Sequence, residues 1–325
     1  MPSAGSSNAS KSLTAAVLTH PVVLVVLRYW FLSLPLLLVT RALYKRYASP
    51  LRKYPGPLLA SFSRLWKVRS TASGQTQYDH IRIHEKYGPV VRIAPNEVSI
   101  SSPEAARTVL SAGKRFYKTD FYSVFPPPEN PDIFTEVREE VHAQKKKVAN
   151  VPYSMAAMQQ LSPFIDDTIE LLAARMEGFI AGNPTDRFDL GAWLHYFAFD
   201  VLGEVAFGRK FGFLEEGCDV ESAIRVIDDS QWYNGIVGQV PELDHFLRRN
   251  PVWKLIPSLN TKNAPITRIA LAELARRKPF TKDTDGQLKT GDGRQDLLAS
   301  LIKGHLKDPE KFSEGDVFAV AHGAM

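Results

Sequence analysis

The residues best placed for chemistry lie in a basic stretch. His142 and Lys146 are four apart and share a helical face with Arg138, and Lys145-Lys146-Lys147 closes the segment. Such a face can hold an anion. Spacing alone, however, favours the solvated basic last turn that a helix dipole stabilises. His80 and His84 are also four apart, but no third ligand or carboxylate base accompanies them, so they read as surface histidines. The single cysteine, Cys218, sits in Glu215-Glu-Gly-Cys-Asp219. Flanking carboxylates disfavour a thiolate, so it reads as a surface thiol. One cysteine also excludes an intramolecular disulfide and fits a reducing compartment. An aromatic stretch with Phe116, Tyr117, Phe121, Tyr122 and Phe125 runs into three prolines. Its side chains must cover a core or line a pocket. P-loop, Gly-x-Gly-x-x-Gly, Gly-x-Ser-x-Gly and His-Glu-x-x-His motifs are absent.

The elements that position these residues are mostly helical. Residues 78–87 read as a helix closed by Gly88-Pro89. Residues 90–94 and 97–100 alternate around Pro95-Asn96 as a β-hairpin, with Val91, Ile93, Val98 and Ile100 inward. Ser102-Pro103-Glu104 opens a helix with an N-cap, a first-turn proline and an acid. Residues 134–148 return to helical spacing through Phe134, Val137, Val141 and Val148. Ile165, Ile169, Leu172, Met176 and Phe179 predict a long amphipathic helix. Asp189 can cap the next one, which ends at Phe207-Gly208-Arg209. Two helices broken around residues 235–241 follow, then one over 264–277, a polar flexible stretch over 281–293, and a last helix pair that begins at Asp296.

Charge divides the chain unevenly. Residues 1–53 hold seven basic residues and no acid; the chain as a whole is at +5, so the rest is at −2. This pattern points to a membrane surface and away from a nucleic-acid-binding body. Residues 1–12 are small and polar and read as disordered. Residues 13–44 read as a transmembrane anchor followed by basic residues, with Arg28 inside the span. The positive-inside tendency then places the body on the cytosolic side. Residues 45–57 read as a basic, stiff, extended hinge, and residues 58–325 as the body.

The last thirteen residues begin with a capping box, Ser313 and Asp316, and continue apolar on every face from 317 to 321. A helix without a polar side belongs inside a domain. Gly323 and Ala324 would let something flat approach its backbone. With no polar exit it reads as cut short, and residues 317–325 are expected to have nothing to pack against in an isolated chain.

The order of landmarks resembles the haem-thiolate monooxygenases, the cytochrome P-450 family, and is closest to the membrane-bound fungal type that includes pisatin demethylases. The matching pieces are Tyr54-Pro-Gly-Pro57 and His84-Glu-Lys-Tyr-Gly-Pro-Val-Val-Arg-Ile-Ala-Pro-Asn-Glu-Val-Ser-Ile100. Further on are Ser102-Pro-Glu104, Phe199-Asp-Val-Leu-Gly-Glu-Val-Ala-Phe-Gly208 and Arg294-Gln-Asp-Leu-Leu298. The resemblance implies a mainly α fold with a small β-sheet, truncated inside the family's long central helix. It implies a haem cofactor, an NADPH-dependent reductase and a small lipophilic substrate to be hydroxylated or demethylated at the endoplasmic-reticulum membrane. His142 and Lys146 fall where the family pairs residues with a haem propionate, although Lys146 stands where Arg is usual and lacks the planar fork. Phe121, Tyr122 and Phe125, with Val320 and Gly323 on the central helix, fall at substrate-contact positions. Residues 232–240 match the roof of the access channel.

The departures from the family pattern are specific. The Ala-Gly-x-Asp-Thr, Glu-x-x-Arg and Phe-x-x-Gly-x-Arg-x-Cys-x-Gly segments are missing, and Cys218 has none of the surroundings of that last loop. No metal ligand is therefore expected in this chain, nor catalysis by it alone. The competing reading is a non-catalytic, membrane-anchored interaction protein derived from the family.

Overall fold

The computed structural model describes residues 20–111, 113, 116–125, 130–182, 187, 189–255, 264–277 and 295–324. The expected disordered N-terminus, the first residues of the expected anchor and the expected flexible stretch over 281–293 lie outside these. The chain forms two compact units, Met1–Lys114 and Arg115–Met325. As expected, it is mainly helical with a small sheet.

The first unit contains α1 (Pro21–Tyr47), α2 (Leu58–Phe62), α3 (Leu65–Ala72), α4 (Thr76–Tyr87), β1 (Val90–Ala94), β2 (Glu97–Ile100) and α5 (Pro103–Leu110). α1 forms where the anchor is expected, and Pro35 lies within it. It leaves helical geometry at Tyr29 (φ −116°, ψ 15°). Among the described residues no helix is long and apolar enough to cross a membrane. The described apolar side chains of α1 are interrupted by Arg28 and Tyr29 at the kink and by Thr40 and Arg41 beyond. The hinge also differs from its expected extended form. Pro50–Lys53 is a 3-10 turn, capped by the Ser49 side chain on Leu51 N–H.

Local signals hold through this unit. Gly88 ends α4 at φ 96°, its N–H donating to His84 O. The Ser102 hydroxyl accepts from Ala105 N–H at the start of α5. β1 and β2 pair antiparallel, Val90 opposite Ile100 and Val91 opposite Ser99. Val91 and Ile93 are buried against Ile83, Trp66 and Tyr87, but Ile100, expected inward, is exposed. β1 is covered on both faces instead, and Arg92 is fully buried. Its guanidinium donates to Pro95 O (2.7 Å) and Lys45 O (3.0 Å), which ties the end of α1 to the hairpin turn. The Arg92 N–H donates to Pro55 O, and a Cβ on Gly56 would lie 2.1 Å from Arg92 O. Glycine is thus required for the hinge to lie against β1. His80 and His84 are half-buried rather than superficial: both rings meet Ser99 Oγ, at 3.3 and 2.8 Å, and join α4 to β2.

The second unit contains α6 (Glu139–Ala149), α7 (Met155–Ala181), α8 (Leu190–Phe207), α9 (Phe213–Glu216), α10 (Ala223–Val237), α11 (Pro265–Arg276), α12 (Leu297–Lys307) and α13 (Glu314–Gly323). α6 starts later than the apolar spacing from Phe134 predicts. Asp132 and Thr135 lock the preceding residues into a turn: Asp132 Oδ1 accepts from Thr135 N–H and Oγ1, each at 2.7 Å. α7 starts earlier than its apolar spacing shows, because Ser154 caps it on Ala157 N–H. Asp189, Asp296 and Ser313 cap α8, α12 and α13 as their spacing indicates. After α10 the chain makes a 3-10 turn at Pro241–His245 in place of the expected second helix.

The expectation that residues 317–325 have nothing to pack against is overturned for the described ones. Val317, Ala319, Val320 and Ala321 are buried. α13 packs against α11 and α12, and its apolar residues join Phe207, Leu274, Leu298, Leu301, Ile302 and Phe312 in one core. Burial on every side is what a helix without a polar face requires.

Candidate functional site

Three consecutive lysines of α6 go three ways. Lys145 turns inward: its Nζ lies 3.0 Å from Asp316 Oδ1 and 3.6 Å from Glu136 Oε2, and donates to Pro131 O. Lys146 is exposed. Lys147 lines a groove of about 940 Å³ formed with Val151, Ser300, Lys303 and Lys307. His142, one turn before Lys146, is half-buried with Nδ1 3.9 Å from Glu139. Burial lowers its pKa, and the charges of Lys118 and Lys146 act in the same direction. Arg138 does not share this face. It is the extended residue before α6, and its guanidinium makes two bonds to Glu136, at 2.8 and 2.9 Å.

The aromatic stretch 120–125 folds as a 3-10 turn, Asp120–Val124. Phe121 meets Tyr122 edge-on at 5.4 Å and Phe125 at a tilt at 5.6 Å, and Tyr122 and Phe125 each meet Phe134 edge-on at 5.2 and 5.3 Å. Phe121 also lies against Gly238 beyond α10, where a Cβ would come within 2.6 Å of its ring. Lys118 Nζ donates to the carbonyls of Ile133 and Phe134 and sits over the Tyr122 ring. Arg248 and Arg249 donate to the carbonyls of Val124 and Ser123. The stretch is thus both core cover and pocket wall.

Its pocket is a cavity of about 190 Å³. Phe125 and Phe134 line it on one side, Val226, Ile227 and Asn234 of α10 on another, and Thr267, His322 and Gly323 elsewhere. Of the expected substrate-contact residues, Phe125 and Gly323 line this cavity, and Phe121 and Tyr122 stand behind its aromatic wall. Val320 does not line it. It is buried in the core, because successive residues of a helix without a polar face point into different neighbours. Nor are His142 and Lys146 among its lining residues.

Several lining residues carry no sequence signature. Asp132 lies against Gly323, where an added Cβ would stand 1.9 Å from Oδ2, so only glycine lets α13 pass the carboxylate. His322 Nε2 is 3.2 Å from Thr267 Oγ1. Burial pushes the His322 pKa down, against the opposing charge of Asp132. His322 was signalled only by its place beside Gly323, whereas Asn234 falls within residues 232–240, which the resemblance places at the roof of the access channel.

Among the described residues no cluster of three or more His, Cys, Asp or Glu can hold a metal ion. Cys218 is exposed, and slight local desolvation with the negative charges of Glu216 and Asp219 raises its pKa. It does not fit an iron-bound thiolate. Lys118 and Lys146 place positive charge near His142, and the carboxylates of Glu139 and Glu136 oppose it.

A mainly helical fold with a two-stranded sheet and a cavity walled by an aromatic turn and three helices defines a class. The cytochrome P450 family model matches residues 54–322, and the chain belongs to that family. It is 36% identical over 213 residues to the cytochrome P450 monooxygenase mpaDE of Penicillium roqueforti, covering 64% of this chain and 25% of that one. It is 29% identical over 286 residues to a cytochrome P450 monooxygenase of Aspergillus terreus, covering 85% and 56% respectively. It is 30% identical over 293 residues to the averantin hydroxylase of Dothistroma septosporum, covering 87% and 52%. The chain thus spans between a quarter and a little over half the length of these relatives.

Proposed function

We propose that this chain supplies the substrate-binding helices of a haem-dependent monooxygenase acting on a small lipophilic molecule, with electrons from an NADPH-dependent reductase. The observation that carries this reading is the cavity. Phe125, Asn234 and Gly323 are far apart in sequence yet line one mostly apolar space with a few placed polar groups, the usual character of a small-molecule site. When bound, haem with a thiolate ligand supplies oxidation of an unactivated C–H bond by O₂. The chain's own residues do the rest. Phe125 and Phe134 exclude water and orient an apolar body, while Lys146 offers positive charge and His142 a ring N–H to a propionate. No step is assigned to Cys218, and this chain alone is not expected to carry out the oxidation.

The test is a chimera in which this chain replaces the matched residues of the Aspergillus terreus relative. After reduction and addition of carbon monoxide, the chimera should give a thiolate-type red-shifted Soret band and hydroxylate small lipophilic probes when supplied with reductase and NADPH. Lys146→Ala should loosen its haem. The 325-residue chain with added haem should give no such band. A band in the chain alone that vanishes in Cys218→Ser would overturn the assignment.

We further propose that the protein is held at the endoplasmic-reticulum membrane through its N-terminal region. Leu32, Leu34, Leu36, Leu37, Leu38 and Val39 of α1 are exposed, and Arg41, Lys45 and Arg46 follow them. An apolar surface next to basic charge suits an anionic bilayer face. In microsomes the chain should stay with the membrane pellet after alkaline carbonate extraction. Quantitative release into the supernatant would refute the proposal.

A further inference from the structure

We propose that the cavity selects a neutral ligand bearing an acceptor oxygen, a carbonyl in the first instance, and that the side-chain amide of Asn234 reads it. This names a substrate class for the cavity and rests on its assignment above as the substrate pocket. Asn234 is 1% exposed and lines the cavity from α10. Its Oδ1 accepts from Arg248 at 3.0 Å. A guanidinium has donors only, so the amide oxygen must face Arg248 and the NH₂ must face away. That Nδ2 is buried and meets no acceptor among the described residues. A buried donor without an acceptor is penalised, and a ligand oxygen removes the penalty.

The donor is also held in place. The Arg248 guanidinium stacks over the Tyr233 ring at 4.6 Å, lies 3.8 Å from Asp244 and donates to Val124 O. Tyr233 Oη donates to Asp244 at 2.7 Å, and Arg249 pairs with the same carboxylate at 2.9 Å. Asn234 therefore cannot turn without breaking a bond to a fixed partner, and the amide is preorganised. The remaining lining sets the other half of the specificity. Phe125, Phe134, Val226, Ile227 and Ile266 are apolar, and the space of about 190 Å³ suits a single-ring body; roughly 150 Å³ accommodates benzene in an engineered apolar cavity. Asp132 also lines the cavity, which disfavours an anion, and the positive charge of Arg248 is already met by Asp244.

Acetophenone and isopropenylbenzene test this, because they match in shape and differ in C=O against C=CH₂. Binding of each to the 325-residue chain is measured by calorimetry or ligand-observed NMR. The wild-type chain should prefer acetophenone by about tenfold. Asn234→Leu should abolish the preference by weakening acetophenone alone. Asn234→Asp, which keeps the side chain's size and the Arg248 contact but offers no donor, should do the same if the leucine variant does not fold. Equal binding of the two probes, a preference that survives both variants, or binding of neither probe would overturn the proposal. The equal-binding result would mean that water satisfies Asn234. Failure of the monooxygenase reading shows separately: the chimera would leave lipophilic probes unoxidised while the Asn234-dependent preference persisted.

Discussion

Asp200→Ala is expected to lower the stability of the second unit by about 4–6 kcal/mol, the largest effect of any single substitution considered for this chain. Asp200 is fully buried in α8. Its Oδ1 accepts from the N–H groups of Phe211, Gly212 and Phe213, and its Oδ2 from that of Leu214, at 2.8–3.2 Å. Four donors at the start of α9 thus depend on one carboxylate. Phe213 and Leu214 are themselves buried, so water cannot replace it. Each stranded donor costs on the order of 1–3 kcal/mol, with some relief from local movement. Typical domain stability is only about 5–15 kcal/mol. Asp200→Asn retains one acceptor but turns an NH₂ toward an N–H, so it should fall between wild type and alanine. Urea unfolding of the three proteins measures this. A loss below about 0.5 kcal/mol in the alanine variant, the size of an ordinary surface substitution, would refute the assigned role.

The second large effect is expected at Lys145. Its ammonium is buried between Glu136 and Asp316, and joins α6 to the turn before it and to the start of α13. Lys145→Met removes the cation and leaves both carboxylates. Breaking a buried pair typically costs about 3–5 kcal/mol. The lower end is expected here, because Arg138 still bonds Glu136 and Ser313 still bonds Asp316. The hydrogen bond from Arg138, against the effect of burial, holds the Glu136 pKa down at about 2. For Asp316, burial opposes the shift, but hydrogen bonds from Ser313 and Lys145 bring its pKa below the usual value. Both groups therefore contribute stability that is fully present above the unfolded carboxylate range of about 4 and is lost as pH falls through the folded values. In Lys145→Met the stranded carboxylates protonate more readily. The difference in stability between variant and wild type should be greatest near pH 7 and shrink as pH falls from 5 toward 2. A difference that stayed constant over that range would show that Lys145 acts through packing alone.

What could be read in the chain beforehand was local. The hairpin strands at Val90–Ala94 and Glu97–Ile100 fall where alternation around Pro95-Asn96 places them. Ser102, Asp189, Asp296 and Ser313 cap their helices, and Gly88 and Gly208 close theirs at positive φ. Each of these features depends on atoms within four residues or so, and the short-range physics of caps and turns fully specifies them. The ordered landmarks of the family are equally linear, and the match over residues 54–322 rests on the same kind of information.

The site depended on partners far away in sequence. Nothing local distinguishes Lys145, whose counter-ion Asp316 lies on α13, from the exposed Lys146 beside it. Alternation placed Arg92 outward, yet its guanidinium is needed by carbonyls at the end of α1. The all-apolar stretch 317–321 predicts a helix inside a domain and the resemblance puts Val320 and Gly323 together at the pocket, but the neighbours send Val320 into the core and leave only Gly323 at the cavity. The resemblance places residues 232–240 at the roof of the access channel, but only the fold shows that Asn234 among them gives its oxygen to Arg248 and keeps a buried nitrogen without an acceptor. A helix presents its side chains in every direction, and only the neighbours that pack against it decide which become core, ion pair or binding wall.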